Sequence, residues 1–357
     1  MSVAATNPQI SARAPLTVAV CMGTYNQALY IEECIASILA QSRAASEIWI
    51  SDDASSDRTQ EVMEALCQRH PTVHYYRQPK NLGIAENLSW VLAQPKTDLI
   101  ARIDSDDRME PEYLATLADL LARYPQAGYA HCEVYEIDSH GAHTRLRRLH
   151  RAAEYESPEE SLKKNASGYR VAANCILYRA EALRQAGYYH ANAGWRAAED
   201  WDLTLRLAML GWGNVYAAQP LACYRVWDDN EKERFKRRVP EIECVTKVYK
   251  QRLIPEYRRR GWSTAVLEKH MRARAVGCAE GLDSRLFTAE ERAIYKARLR
   301  ELGDSAALSL AIWMAESGFS PLVRWTRRLR LRLRDAAKTL LRAAKPAAKR
   351  RATGAQA

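Results

Sequence analysis

The feature that most constrains this chain is an alternation repeated four times in its first 125 residues: a short apolar run, then a segment of helical period, with short links between them. Residues 16–22 are an apolar, β-branched run, and residues 27–42 then carry Ile31, Cys34, Ile35, Ile38 and Leu39 at helical spacing. The pair recurs at 47–51 with 59–69, at 73–77 with 84–93, and at 99–103 with 111–124, where Pro111 is a good first-turn residue. This pattern predicts an α/β fold, a doubly wound and mostly parallel sheet with helices on both faces. In such sheets ligands bind at the carboxyl ends of the strands, so the residues just after each strand carry the functional information.

From residue 128 the alternation loosens. Strands are expected at 129–135, 172–178 and 221–226, and a helix over 200–210 that stops at Gly211. Beyond Asp228 the pattern is helical and charged. The expected organisation is a disordered lead-in over 1–14, an α/β domain over 15–230, a helical extension over 231–320 and a basic amphipathic tail over 321–357.

Charge bears on the choice of partner. The formal net charge is +10, but between residues 324 and 351 nine Arg and three Lys face a single acid, Asp335. That segment carries +11 and leaves the remainder at −1, so the bulk of the chain lacks the basic surface of a dedicated nucleic-acid binder. Within the tail, Leu322, Trp325, Leu329, Leu333, Ala336, Leu340 and Ala344 follow helical spacing with cations between them. A basic amphipathic helix of this kind suits an anionic membrane surface. Packing of its apolar stripe on the protein's own body is the competing reading, and nucleic acid is the weakest of the three.

Eight cysteines occur without a C-x-x-C pair and mostly inside apolar runs, which reads as buried free thiols in a reducing compartment. No segment reaches the ~18 apolar residues of a membrane span, and the N-terminus lacks the charged and apolar regions of a signal peptide. A cytoplasmic location, peripheral at the inner face of the cell membrane, is expected.

Three strand ends and one helix start concentrate polar residues: Thr24-Tyr25-Asn26, Asp52-Asp53-Ala54-Ser55, Asp104-Ser105-Asp106-Asp107, and Glu199-Asp200-Trp201. Three carboxylates within four residues repel one another unless a cation sits among them, and a hard divalent ion with oxygen ligands meets that need. Helix capping is the bland alternative for each acid group. Asp53 is placed to accept a hydrogen bond from a base, with Tyr25 beside it. Asp200, at a helix start facing a cleft, is suited to general-base work. Trp195 and Trp201 bracket it, either as sugar platforms or as core residues.

Together these residues resemble the family-2 glycosyltransferases, which have the GT-A fold. The resemblance is carried by VAVCMGTYN at 18–26, ILAQS at 38–42, IWISDDASSDRT at 48–59, Asn81-Leu82-Gly83, IDSDD at 103–107 and EDWDLTLRL at 199–207, in the family's order. It implies that 15–230 is a catalytic domain. It further implies that Thr24, Tyr25, Asn26, Asp53 and Asp104 meet the nucleotide, and that Asp104 and Asp106 hold Mn²⁺ or Mg²⁺ on the donor diphosphate with Asp107 beside them. Asp200 would be the base of an inverting displacement, and Glu199 and Arg225 further contacts to acceptor or diphosphate. Trp227 stands where the family often has a His. Without the Q-x-x-R-W signature of processive synthases, transfer of one or a few sugars is expected. The expected donor is a nucleotide sugar, with uridine diphosphate commonest, and the expected acceptor a lipid-linked surface glycan. A protein or small soluble acceptor, or an inactive fold used for binding, are the alternatives. A nicotinamide dehydrogenase is disfavoured because no G-x-G-x-x-G follows the first strand.

Overall fold

The computed structural model describes residues 15–149, 151, 153–172, 175–190, 198–227, 231–283, 287–317 and 319. Trp195 and the basic tail over 321–357 lie outside the described residues. The chain divides into two compact units, Met1–His270 and Met271–Ala357.

In the first unit the four expected strands are β1 (Val18–Thr24), β2 (Glu47–Asp52), β3 (Val73–Arg77) and β4 (Leu99–Arg102). They alternate with α1 (Ile31–Leu39), α2 (Thr59–Arg69) and α3 (Ile84–Leu92), and α4 (Tyr113–Arg123) follows the short β5 (Arg108–Met109). The chain continues through β6 (Ala127–Ile137), β7 (His143–Arg147), β8 (Tyr155–Glu156), α5 (Pro158–Asn165), β9 (Ile176–Arg179), α6 (Ala180–Ala186), α7 (Glu199–Met209) and β10 (Gly213–Arg225). The sheet is ten-stranded, in the order β3-β2-β1-β4-β9-β6-β10-β5, with β7 on β6 and β8 on β10.

The parallel block β3-β2-β1-β4 is the part that alternation predicts. β1 is buried along almost its whole length, as a strand covered on both faces must be. Its side chains divide by the period of two: Val18, Val20 and Met22 enter the core beneath α1, α2 and α4, and Cys21 enters the core shared with α3, α6 and α7. β9 departs from expectation. It runs antiparallel to both β4 and β6. The strand expected at 221–226 is the end of a longer one. β10 begins at Gly213 and passes Pro220 through a register irregularity on β6, where the missing N–H is tolerated.

Two features set α7. Asp202, fully buried, accepts from Arg206 Nε at 2.7 Å and from Arg252 Nε at 2.5 Å. Arg252 lies in a π-helical segment (Val248–Leu253) between α8 (Glu231–Lys247) and α9 (Ile254–Arg259), so these helices buttress the α/β layer. The Trp201 ring meets Tyr249 of the same segment edge-on at 5.6 Å and is buried.

α10 (Ala265–Cys278) leads into the second unit, which contains a 3₁₀ turn (Ala279–Asp283), α11 (Ala289–Gly303) and α12 (Ala306–Glu316). A Thr288/Glu291 capping box starts α11 and the Ser305 hydroxyl caps α12. Leu299, Leu302, Leu308 and Ile312 are buried in this unit, and Leu310, Trp313 and Phe319 are exposed. Among the described residues no helix is long and apolar enough to cross a membrane.

Candidate active site

The carboxyl ends of β1, β2 and β4 and the start of α7 meet around one open cavity of about 350 Å³. Thr24, Tyr25, Asp53, Asp104, Asp106, Glu199 and Asp200 line it, with Arg102, Asn87 and Gln27. Most of the residues singled out in the sequence are thus brought together, and each is held by a local cause.

The loops after β1 and β2 are wired by hydrogen bonds. Asn26 has a left-handed backbone, φ 55°. Its amide N–H donates to Ser55 Oγ at 2.9 Å, and its side-chain oxygen accepts from Ser56 N at 2.8 Å and Asp57 N at 3.3 Å. Asn26 therefore ties the loop after β1 to the loop after β2 and stands behind the cavity wall. Asp52 is buried and accepts from Ser55 N at 2.9 Å, Ser55 Oγ at 2.5 Å and Tyr75 Oη at 2.6 Å. Asp53 accepts from Leu82 N at 2.6 Å and Gly83 N at 2.9 Å, which fixes the Asn81-Leu82-Gly83 turn against the cavity. Gly83 has φ +87°, a conformation in which a side chain is strained. Gly23 is needed for another reason: a Cβ there would lie 3.0 Å from Asn87 Nδ2 and 3.3 Å from Leu88 Cδ2. Tyr25 is half exposed and lines the cavity.

The acid cluster after β4 has different partners. Asp104 accepts from Arg102 Nη2 at 2.8 Å. Asp106 Oδ2 accepts from the Trp227 indole N–H at 2.7 Å, and the Trp227 ring meets Tyr30 edge-on at 5.1 Å. Burial, then the neighbouring Asp104, raise the Asp106 carboxyl above its ordinary range. Asp107 turns away from the cavity. It is 1% exposed, accepts from Arg225 N at 2.8 Å, and is raised well above the carboxylate range by burial and by Asp104 and Asp106.

Arg225 is also buried. Its Nε donates to Asp106 O at 2.7 Å, Nη1 to Asp138 O at 2.9 Å, and Nη2 to Glu33 Oε2 at 2.7 Å, with the guanidinium 4.4 Å from the Tyr30 ring centre. The structure thus uses Arg225 to brace the acid loop from behind.

An all-oxygen, anionic donor set at Asp104 and Asp106 suits a hard dication, and after burial the negative charge of Asp104 is the next cause of the raised Asp106 carboxyl, a charge that such an ion relieves. The position where a His is often found holds Trp227, which donates to the carboxylate and adds no ligand of its own.

Arg102, the last residue of β4, is the site residue that motif reading missed. Its Nη2 holds Asp104, and its Nη1 lies 3.6 Å from Asp200 Oδ1. One buried guanidinium therefore spans the acid loop and the start of α7. The visible signal was a cation ending an otherwise apolar strand, LIAR. Asp200 Oδ1 also accepts from Tyr189 Oη at 2.7 Å, which orients the carboxylate at the cavity. Beside it, burial first and the Asp200 charge second push Glu199 up to about 7. Trp201 points into the core and away from the cavity, so of its two readings the packing role is the one observed.

The profile of the family described as Glycosyl transferase family 2 matches residues 19–187, which include the first three strand-end groups. Residues 19–187 form a glycosyltransferase family 2 domain. The putative glycosyltransferase EpsE of Bacillus subtilis is 29% identical over 222 residues, 62% of this chain and 76% of that protein. The hyaluronan synthase of Pasteurella multocida is 37% identical over 100 residues, 28% of this chain, and the chain spans only about 10% of that relative's length. Among solved structures, the mannosyltransferase PcManGT of Pyrobaculum calidifontis, in complex with GDP-Man and Mn²⁺, superposes with a TM-score of 0.55 at 19% identity. That match covers 91% of this chain and 87% of the other. At that identity the likeness speaks for the fold alone, which is the GT-A fold.

Proposed function

We propose that this family-2 enzyme transfers a sugar from a nucleoside diphosphate sugar to a hydroxyl of a polysaccharide acceptor, with inversion at the anomeric carbon. The observation that carries the reading is the Arg102 bridge. It holds Asp104, on the diphosphate side, and Asp200, on the acceptor side, within 2.8 Å and 3.6 Å of a single guanidinium at one cavity.

In this reading Tyr25 flanks the base, Thr24 lines the ribose end, and Asp53 accepts from the base while its two backbone bonds keep it in place. Asp104 and Asp106 would hold the Mn²⁺ or Mg²⁺ that serves the donor diphosphate. When bound, the ion offsets charge developing on the leaving group. Asp200 accepts the proton of the acceptor hydroxyl while that oxygen bonds to the anomeric carbon. The bond from that carbon to the diphosphate oxygen breaks, and the electron pair leaves with the diphosphate. Arg102 keeps the two carboxylates at a fixed separation, a positioning task. Glu199, raised to about 7, is protonated below neutrality and donates to an acceptor oxygen in that state.

The acceptor is proposed to be a lipid-linked surface glycan met at the inner face of the membrane. The support is the sequence pattern of 324–351, whose +11 charge and apolar stripe suit anionic lipid. Deleting 322–357 is expected to release the protein from anionic vesicles and leave donor binding intact; unchanged vesicle binding refutes the anchor.

A thermal-shift screen tests the donor. With Mn²⁺ present, one class among uridine and guanosine diphosphate sugars is expected to raise Tm, because a ligand of the native state stabilises it. No shift with any nucleotide sugar refutes the donor assignment.

A further inference from the structure

Glu110, His143 and Cys223 lie outside the cavity and come from three elements of the first unit. Glu110 follows β5, His143 opens β7, and Cys223 lies near the end of β10, where it pairs with Arg108. Cys223 Sγ lies 3.2 Å from Glu110 Oε1 and 3.6 Å from His143 Nε2, and one ligand atom from each residue falls within 4.8 Å of the others. Tetrahedral zinc, with S and N/O ligands at about 2.3 Å and about 2.0–2.1 Å, sets its ligand atoms about 3.3–3.6 Å apart. The two separations from the sulfur, 3.2 Å and 3.6 Å, lie close to that polyhedron, and the third pair is within 4.8 Å. We propose that Glu110, His143 and Cys223 form a second metal site that takes a borderline-soft divalent ion such as Zn²⁺, separate from the donor site.

The surroundings are prepared for such an ion. The Tyr135 ring stacks on His143 at 4.2 Å with an interplanar angle of 10°, which fixes the imidazole plane. The Glu110 N–H donates to Leu221 O at 2.8 Å, and Glu110 O accepts from Gln41 Nε2 at 2.8 Å, so the backbone carrying the carboxylate is anchored on both sides. Thiolate, imidazole and carboxylate together select Zn²⁺-like ions over the Mg²⁺ or Mn²⁺ suited to all-oxygen ligands.

Arg108 Nη2 lies 3.9 Å from the sulfur and is tied to Gly141 O at 3.1 Å, while its Nη1 is tied to Glu33 at 2.8 Å, so it lends charge balance to a thiolate without occupying the ligand position. Burial, then Glu110, push the Cys223 thiol up to about 12 without an ion. Metal binding forms the sulfur–metal bond as the S–H proton leaves to solvent. Solvent takes the fourth position, since His143 is exposed. The ion would clip β7 and β10 to β5, immediately behind the 104–107 loop and two residues before Arg225.

Cobalt is the probe, because thiolate coordination to Co²⁺ gives a near-ultraviolet charge-transfer band. Untagged full-length protein is titrated with Co²⁺ and then with Zn²⁺. One equivalent is expected to raise the band, and Zn²⁺ to abolish it. Cys223→Ser is expected to remove the band. His143→Ala, a change at an exposed side chain, is expected to weaken Co²⁺ binding by about tenfold or more. Asp106→Asn, which disables the donor site, is expected to keep both the band and its affinity, so failure of either site is seen separately. No band in the wild type, a band that survives Cys223→Ser, or unchanged affinity in His143→Ala overturns the proposal.

Discussion

The loops after β2 and after β4 look alike in sequence, DDASSD and DSDD, and they do different work. In the first, almost every carboxylate oxygen meets a neutral donor. Asp52 has Ser55 and Tyr75, and Asp53 has two backbone N–H groups. Asp57 feels some burial, yet bonds from Thr59 and Ala28 hold it below its ordinary range. In the second, Asp104 meets Arg102, Asp106 the Trp227 indole and Asp107 the Arg225 N–H, yet burial first and the neighbouring acid charges second still raise Asp106 and Asp107. A satisfied acidic loop is part of the fold, whereas an acidic loop left with surplus negative charge is prepared for a cation. The partners of each carboxylate separate the two cases; the spacing of the acids does not.

That contrast fixes what mutation should do. The largest effect is expected at the cavity: Asp200→Asn removes the proposed proton acceptor and is expected to lower kcat by about 10²–10⁴-fold with donor affinity unchanged, read by single-turnover transfer. On stability the order reverses. Asp52→Ala orphans three donors, two of them on the buried Ser55, and is expected to cost about 3 kcal/mol in denaturant unfolding.

By contrast Asp106→Asn, measured without metal at pH 8, is expected to be neutral or to stabilise by up to about 1 kcal/mol, because it removes a charge from a crowded site. A destabilised Asp106→Asn would collapse the distinction between the loops.

The remaining effect concerns pH. Glu199 is raised from 4.5 to about 7, so the stability it contributes is full below pH 4.5 and is lost as pH rises to about 7. Glu199→Gln is accordingly expected to gain Tm relative to wild type between pH 5 and about pH 7–8 and then to run parallel. Parallel curves throughout would mean that Glu199 titrates as in water.

The four N-terminal strands and the strand-end groups were legible in the sequence because a buried parallel strand is a continuous apolar run and its exit residues are the next letters. What was not legible depends on distant packing. The reversed direction of β9 has no local signature. Asp107 and Asp106 are neighbours in sequence, yet one faces the sheet and the other the cavity. Arg225 and Trp201 carry types suited to ligand contact and are consumed by the fold. Arg102 acquires its meaning only when α7 is brought beside β4. The Glu110–Cys223 contact joins residues 113 apart, across elements too short to be anticipated.

The most direct test of a metal-dependent sugar-nucleotide site is turnover of the nucleotide sugar picked out by thermal shift, in wild type and Asp106→Asn, with Mn²⁺ and with EDTA. The account predicts turnover only in wild type with the ion present. Equal turnover in EDTA by wild type and Asp106→Asn would contradict it.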